Sequence, residues 1–116
     1  MIRYGVKTIL ITGTSRVKSH YLREIESVGS EVVFMQHESA EMPVDPATVE
    51  VVMCNSLFEH HSESHFHRLK FVQATSAGLD RFPLKSLAAQ GVKVEPARGV
   101  YSPAIAEFAL LLILQI

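Results

Sequence analysis

The chain has 116 residues, of which 47% are hydrophobic and 20% are charged, and its formal net charge is −1. These values indicate one domain with an ordinary core and exclude an intrinsically disordered chain. They also exclude a strongly basic surface, so we expect neither a nucleic acid nor a membrane as a partner. The single cysteine, Cys54, excludes an internal disulfide, and the amino terminus lacks the pattern of a signal peptide. We therefore expect a cytoplasmic protein.

The amino-terminal half alternates strand-like and helix-like segments. A β-branched run closed by Gly13 predicts the first strand. Apolar residues at helical spacing before Gly29 predict a helix, which Thr14 or Ser15 can cap. Two further β-branched runs predict the second and third strands, on either side of a polar loop. The predicted strands cover residues 6–13, 31–35 and 49–54, the helix covers 17–28, and the loop covers 37–46.

The carboxyl-terminal half continues this alternation. The His-rich stretch 59–68 predicts a short helix, and a second short helix, which Asp80 can cap, ends at Gly91. Ser102 is expected to cap a last, apolar helix with Pro103 at its first position. The remaining predicted strands cover residues 69–74 and 92–95, and the second short helix covers 83–90.

Strands separated by helix-length segments are typical of βαβ units and a parallel sheet. We expect an α/β fold, a flavodoxin-like doubly wound sheet of five strands in the order 2-1-3-4-5, followed by the apolar helix. Ligands of such sheets bind beyond the carboxyl ends of the strands, near the point where the strand order reverses. This rule points to three segments, residues 13–15, 55–58 and 75–80.

The third of these segments has the composition of an anion-binding turn. A buried strand ends in small residues, and Gly78 tolerates dihedral angles that other residues avoid. Successive backbone N–H groups from Ser76 to Leu79 can form a concave nest for an anion. A tight strand-to-helix turn without a ligand explains the same composition, so local sequence leaves both interpretations open.

Longer blocks of sequence carry a more specific signal. KFVQATSAGLDRFPL at 70–84 is followed by GVKV at 91–94, and then by ARGVYS at 97–102 and IAEFAL at 105–110. In their order and spacing, these blocks resemble the D-isomer-specific 2-hydroxyacid dehydrogenases. The close match covers about residues 69–116, and the preceding βαβ pattern fits the same domain.

The resemblance implies a two-domain enzyme with its active site between the domains. Residues 1–101 would be a flavodoxin-like substrate-binding domain, and residues 102–116 would begin the interdomain helix that leads to a missing NAD-binding domain. The parent enzyme would be an oxidoreductase that interconverts a small D-2-hydroxy acid and a 2-oxo acid with NAD or NADP. The identity of the acid and the choice of cofactor stay open.

The resemblance also assigns residues to the cleft. The backbone of Ala77 and Gly78 would hold the substrate carboxylate, and Ile105 would pack against the nicotinamide. Tyr101 would face substrate and nicotinamide, and the strand-end rule adds Asn55 and Phe58 at the mouth of the cleft. The full set of predicted substrate-binding residues is Ser76, Ala77, Gly78, Leu79, Tyr101, Asn55 and Phe58.

The chain departs from the family pattern in two ways. Glu95 and Pro96 precede Ala97, where family members often have asparagine, so the crossover into the next domain can run differently. The chain also has no Gly-x-Gly-x-x-Gly turn and no counterpart of the family's catalytic arginine, glutamate and histidine. We therefore predict no catalytic residue here, no cofactor bound to this chain, and no activity for the chain alone. The alternative is a stand-alone, non-catalytic flavodoxin-like binding or assembly module.

Other residues allow a functional and a structural interpretation. His61 and His65 would be one turn apart on a helix and could clamp a metal, but a solvated His-rich helix is the expectation, so no metal site is predicted. Cys54 could be a nucleophile, but a buried cysteine is favoured. The last helix is apolar on all sides, and the sheet can cover only one face of it. We therefore expect a homodimer or larger oligomer with this helix near its centre.

Overall fold

The computed structural model describes residues 7–13, 19–27 and 30–116 of the chain. Its strands are β1 (Lys7–Thr12), β2 (Ser30–Met35), β3 (Val49–Cys54), β4 (Phe71–Ala74) and β5 (Lys93–Glu95). Its helices are α1 (Ser19–Ser27), α2 (Leu57–His60), α3 (Leu84–Ala89) and α4 (Ser102–Leu114), with 3₁₀ turns at Pro46–Thr48 and Glu63–His65. The predicted caps Thr14 and Ser15, and the helix stop Gly29, lie outside the described residues.

The five strands form one parallel sheet in the order β2-β1-β3-β4-β5. The predicted fold class and strand order are therefore confirmed. The register places Leu10 beside Val52, and Val52 beside Val72, so the apolar residues of three neighbouring strands lie in one row. All three of these side chains are fully buried, because both faces of a doubly wound sheet are covered. The row fixes the relative positions of the strand ends, which is where the site lies.

The loops and helices around the sheet complete the core. Leu57 from α2, Phe66 from the segment after it and Leu87 from α3 are each 1% exposed or less. Cys54, the last residue of β3, is also fully buried, which confirms the structural interpretation of this cysteine over an accessible nucleophile.

The prediction of one helix over 59–68 is wrong. His61 has extended dihedral angles and ends α2, and the Ser62 hydroxyl then accepts a hydrogen bond from the Ser64 amide to begin a separate 3₁₀ turn. This interruption turns Phe66 into the core, where it is 1% exposed. Burial of one large aromatic side chain outweighs the few hydrogen bonds that a continuous short helix would add.

Two predicted helix caps are also wrong. Pro83, and not Asp80, is the residue before α3, because residues 79–82 first form a turn in which the Phe82 amide bonds to the Leu79 carbonyl at 3.1 Å. Tyr101 precedes α4, so Ser102 is its first residue and Pro103 its second. A proline in the first turn loses no helical hydrogen bond, and the prediction of a helix start at this point was one residue late.

Helix α4 is exposed along its whole length. Ile105 is 64% exposed and Leu114 is 76% exposed, and these residues, nine positions apart, lie on opposite sides of a helix with 3.6 residues per turn. The expected cover of one face by the sheet is therefore absent. The chain leaves β5 through Pro96 and turns at residues 98–100, where the φ of 75° at Gly99 is one that favours glycine.

Across the described residues, no helix combines the length and the apolar character that crossing a bilayer requires.

Candidate functional site

A cleft of about 470 Å³ opens at the carboxyl ends of β3 and β4. This is the edge of the sheet at which the strand-end rule predicts ligand binding. Two loops and the start of α4 form its walls, so residues distant in sequence meet there. The lining residues are Asn55, Thr75, Ser76, Ala77, Gly78, Asp80, Arg81, Tyr101 and Ile105.

The loop after β4 presents backbone amides to this cleft. The Thr75 amide continues the sheet by bonding to the Cys54 carbonyl at 2.9 Å, and the Ser76 carbonyl accepts a bond from the Ala97 amide at 3.0 Å. These contacts hold the base of the loop in place. Ala77 and Gly78 are exposed beyond it, and their amides find no acceptor among the described residues. Two adjacent, unpaired N–H groups at a cleft are suited to bind an anion.

The Ser76 side chain forms a hydrogen bond within the loop. Its hydroxyl donates to the Gly78 carbonyl at 2.8 Å, which fixes the conformation of the residues between them. The hydroxyl lines the cleft, but its proton is already committed to this bond. Ser76 can therefore accept a hydrogen bond from a ligand without first breaking the loop, whereas donating one would require the loop to open.

Gly78 is needed for space and not for backbone conformation. Its φ is not in the positive range, which corrects the expectation that the loop uses unusual dihedral angles. A Cβ at this position would lie 3.1 Å from the Asp80 Oδ1 atom, closer than ordinary van der Waals contact. A side chain at this position would displace the Asp80 carboxylate and fill the space in front of the loop.

Tyr101 joins the start of α4 to the cleft. Its hydroxyl donates a short hydrogen bond to the Thr75 carbonyl, at the point where β4 ends. Ile105, one turn later, lines the cleft with an apolar side chain. The predicted placement of both residues at the cleft agrees with this geometry, although a role in binding substrate or nicotinamide goes beyond it.

Asn55 also lines the cleft, but two other predicted residues do not. Phe58 packs in an aromatic cluster, with its ring centre 5.5 Å from that of Phe66 and 6.2 Å from that of Phe82. Leu79 is half-buried against the core. The strand-end rule locates a loop, but cannot tell which of its side chains turn inward, and apolar side chains turn towards the core.

Three charged residues at this end of the sheet were not among the predicted substrate-binding residues. Asp80 and Arg81 both line the cleft, so its wall carries one charge of each sign. Glu38, in the loop after β2, bonds to residues at the ends of β1 and β3. The signal for Glu38 was available, because the same strand-end rule applies to β2, whose following loop was treated only as a surface connection.

The other candidate chemistry is not supported by the geometry. His61 is an extended residue after α2, and His65 ends the following 3₁₀ turn, so the one-turn pairing that a metal clamp needs is absent. In the described part of the chain, no group of three His, Cys, Asp or Glu side chains could hold a metal ion. Burial, together with the nearby charge of Glu38, raises the pKa of the Cys54 thiol far above its usual range, which makes it a poor nucleophile.

Solved structures of two enzymes are similar to this chain in fold. The chain superposes with a TM-score of 0.70 and 22% identity on an NADPH-dependent glyoxylate/hydroxypyruvate reductase from Sinorhizobium meliloti in complex with NADP and malonate, covering 93% of this chain and 33% of that one. A citrate complex of the same enzyme gives a TM-score of 0.70 at 21% identity, covering 92% of this chain and 34% of that one. Phosphoglycerate dehydrogenase from Lactobacillus plantarum gives a TM-score of 0.60 at 27% identity, covering 93% of this chain and 34% of that one.

No family model matches the chain, and no curated protein matches it by sequence. The solved structures are members of the D-2-hydroxyacid dehydrogenase family, so the resemblance predicted from sequence is confirmed. The shared property is the fold of the flavodoxin-like sheet. The chain spans about a third of the length of the solved structures that it matches.

Proposed function

We propose that this chain is the substrate-binding part of an NAD(P)-dependent oxidoreductase that interconverts a D-2-hydroxy acid and a 2-oxo acid. The observation that carries the proposal is the pair of exposed, unpaired amides of Ala77 and Gly78 in the cleft. A carboxylate is the group shared by all such acids, and backbone N–H groups bind it without a charged side chain. The solved reductase that shares the fold is in complex with malonate in one crystal and with citrate in another.

The remaining cleft residues would orient the acid. The side-chain carboxamide of Asn55 can donate a hydrogen bond to a keto oxygen and can accept one from a hydroxyl group. Tyr101 would close the side of the cleft next to α4, and Arg81 would contribute the positive charge that draws anions in. These roles need no ionisable group that transfers a proton, in keeping with our proposal that the catalytic residues of the parent enzyme lie outside this chain.

This chain offers a contact for the nicotinamide ring of a cofactor. Ile105 presents an apolar side chain beside the loop after β4 (residues 75–78, the amide loop), where the ring would lie. The sequence has no Gly-x-Gly-x-x-Gly turn to bind the pyrophosphate. When bound by the parent enzyme, NAD(P)H would supply the hydride. We propose residues 1–101 as the substrate domain, residues 102–116 as the start of the link to a dinucleotide-binding domain, and no turnover by the chain alone.

The proposal is tested by titrating the ¹⁵N-labelled chain with malonate. We expect the amide signals of Ala77 and Gly78 to shift most, because these amides would bond to the carboxylate. Gly78→Val should weaken binding by roughly tenfold or more, the value of one hydrogen bond to a charged group. The fold should be retained because φ at this position is not positive.

Ala40→Val, which places the same valine side chain at an exposed residue of another loop, is the control and should bind malonate like the wild type. Shifts confined to residues away from the cleft, or unchanged affinity in folded Gly78→Val, would contradict the proposal. Either result would favour the alternative of a non-catalytic binding or assembly module.

We also propose that the chain self-associates through α4. All the residues of this helix are exposed, and its apolar side chains point in every direction. A second copy of the chain presents the same surface, and self-complementary contacts between identical patches are the usual basis of a homodimer.

A further inference from the structure

Glu38 connects three strand ends through one carboxylate. Its Oε1 atom accepts a short hydrogen bond from the Thr12 hydroxyl and one of 2.8 Å from the Asn55 amide. Its Oε2 atom accepts bonds from the Ser56 amide at 2.7 Å and the Ser56 hydroxyl at 2.6 Å. Glu38 itself follows β2, whereas Thr12 ends β1 and Asn55 follows β3. A single side chain therefore joins the ends of three strands.

This carboxylate is held in its ionised form. Burial raises the pKa of Glu38, but the hydrogen bonds from Ser56, Thr12 and Asn55 together lower it more, and the net shift is downward. The backbone is held as well, since Nε2 of His61 lies 2.8 Å from the Glu38 carbonyl oxygen and can donate to it. Glu38 is thus fixed at both its main chain and its side chain.

The position of this carboxylate is the usual ligand position of the fold. In a sheet of order 2-1-3-4-5, the strand order reverses between β1 and β3, and ligands bind in the crevice at that point. Here Thr12 and Asn55 border the crevice, and the Glu38 carboxylate occupies it. The open cleft lies one strand further along, between β3 and β4.

The crevice that holds the Glu38 carboxylate and the open cleft share a wall. A smaller cavity of about 210 Å³ lies on the Glu38 side, and Asn55 and Thr75 line both this cavity and the cleft. Because the Glu38 carboxylate bonds directly to the Asn55 amide, it determines where this wall stands. Asn55 therefore lines the cleft from a backbone position that Glu38 holds.

We propose that Glu38 is a positioning residue: its carboxylate fills the crevice between β1 and β3, fixes the turn at Asn55 and Ser56, and so shapes the cleft for a carboxylate ligand. The identity of that ligand rests on the proposed function, whereas the fixing of the turn does not. Glu38 acts through Asn55 and touches no ligand itself.

Glu38→Gln tests the positioning directly. A glutamine has one acceptor oxygen, so its NH₂ group must face either the Asn55 amide or the Ser56 amide, and neither can accept a hydrogen bond. We expect large shifts of these two amide signals in the ¹⁵N spectrum and roughly tenfold weaker malonate binding, the value of one misaligned hydrogen bond to a charged group. Glu50→Gln is the matched control, because Glu50 forms an ion pair of 3.7 Å with Lys70 at the amino-terminal end of β3, away from the cleft.

Chemical rescue supplies a readout that needs no ligand in the cleft. Glu38→Ala leaves the donors of Thr12, Asn55 and Ser56 around a space the size of a small carboxylate. Added formate should restore the Asn55 and Ser56 amide signals and raise the melting temperature of this variant. Formate should do neither for the wild type nor for Glu50→Ala, because in both the Glu38 carboxylate already accepts the hydrogen bonds of these donors.

These outcomes separate the two proposals. Rescue by formate without malonate binding to the wild type would uphold the role of Glu38 and overturn the proposed function. Unshifted Asn55 and Ser56 signals in Glu38→Gln, or melting temperatures that respond to formate equally in all variants, would overturn the role of Glu38. If Glu38→Ala does not fold, the isosteric Glu38→Gln spectrum decides the question alone.

Discussion

Leu112→Glu should abolish the association that α4 is proposed to mediate. Leu112 lies near the carboxyl end of α4 and is 47% exposed, like the helix around it. At micromolar concentration we expect the wild-type chain to sediment as a dimer or larger species, and the variant to sediment as a monomer. The physical reason is the loss of apolar burial together with the burial of an unpaired charge.

The size of the effect follows from the exposed fraction. Full burial of a leucine is worth ~1.5–3 kcal/mol, so burying the exposed half of Leu112 is worth ~0.7–1.5 kcal/mol per copy. A two-fold symmetric interface contains the side chain twice, which gives ~1.5–3 kcal/mol per dimer. The loss of this term alone weakens Kd by roughly ten- to a hundredfold, and the buried charge adds to it.

Sedimentation velocity over a concentration series measures this change. Leu84→Glu is the matched control, because Leu84 is a leucine of similar exposure, 43%, at the start of a different helix. Circular dichroism should show that helix content is kept in both variants. A wild-type chain that remains monomeric at every concentration, with α4 formed, would refute the reasoning. Equal effects of the two substitutions would show that general surface polarity, and not α4, governs association.

Three further outcomes are expected. The chain incubated with NADH and glyoxylate, pyruvate or hydroxypyruvate should show no turnover above the buffer blank, and steady oxidation of NADH would contradict this. Tyr101→Phe removes the hydroxyl that bonds to Thr75 and, at a half-exposed position, should lower the free energy of unfolding by about 1 kcal/mol or less in a urea titration. The Cys54 thiol, whose pKa is raised by burial and by Glu38, should resist iodoacetamide in the native chain and react rapidly in urea; fast native labelling would disprove its burial.

The sheet could be predicted from the sequence because burial on both faces leaves a strong local signal. β3 was predicted at its observed bounds, 49–54, since a β-branched run between polar segments has few other interpretations. The strand order followed from the alternation of strands and helices. The amide loop was located by the same logic, as the small residues after β4 lie where ligands of this fold bind.

The errors arose where tertiary packing decides local structure. The expected helix is interrupted at His61, and the Phe66 ring after it is buried in the core, a tertiary contact that no local pattern records. The Glu38 carboxylate bonds to residues 17 to 26 positions away in sequence, and Thr12 also bonds to a carbonyl 41 positions away. No helical or strand period covers such separations. Whether α4 is exposed depends on whether the sheet and its other helices pack against it. The sequence of the helix alone does not contain that information.

The cleft and the exposed apolar surface of α4 meet at the start of this helix. Tyr101 binds the end of β4 through its hydroxyl and also precedes the first turn of the helix, and Ile105 belongs to both the cleft and the apolar surface. A partner that covers α4 would therefore also cover one wall of the cleft. Burial of that wall would lower the local dielectric and strengthen the proposed bonds from Ala77 and Gly78 to a carboxylate. The cleft, open on this side in the single chain, thus has the form expected of half a binding site.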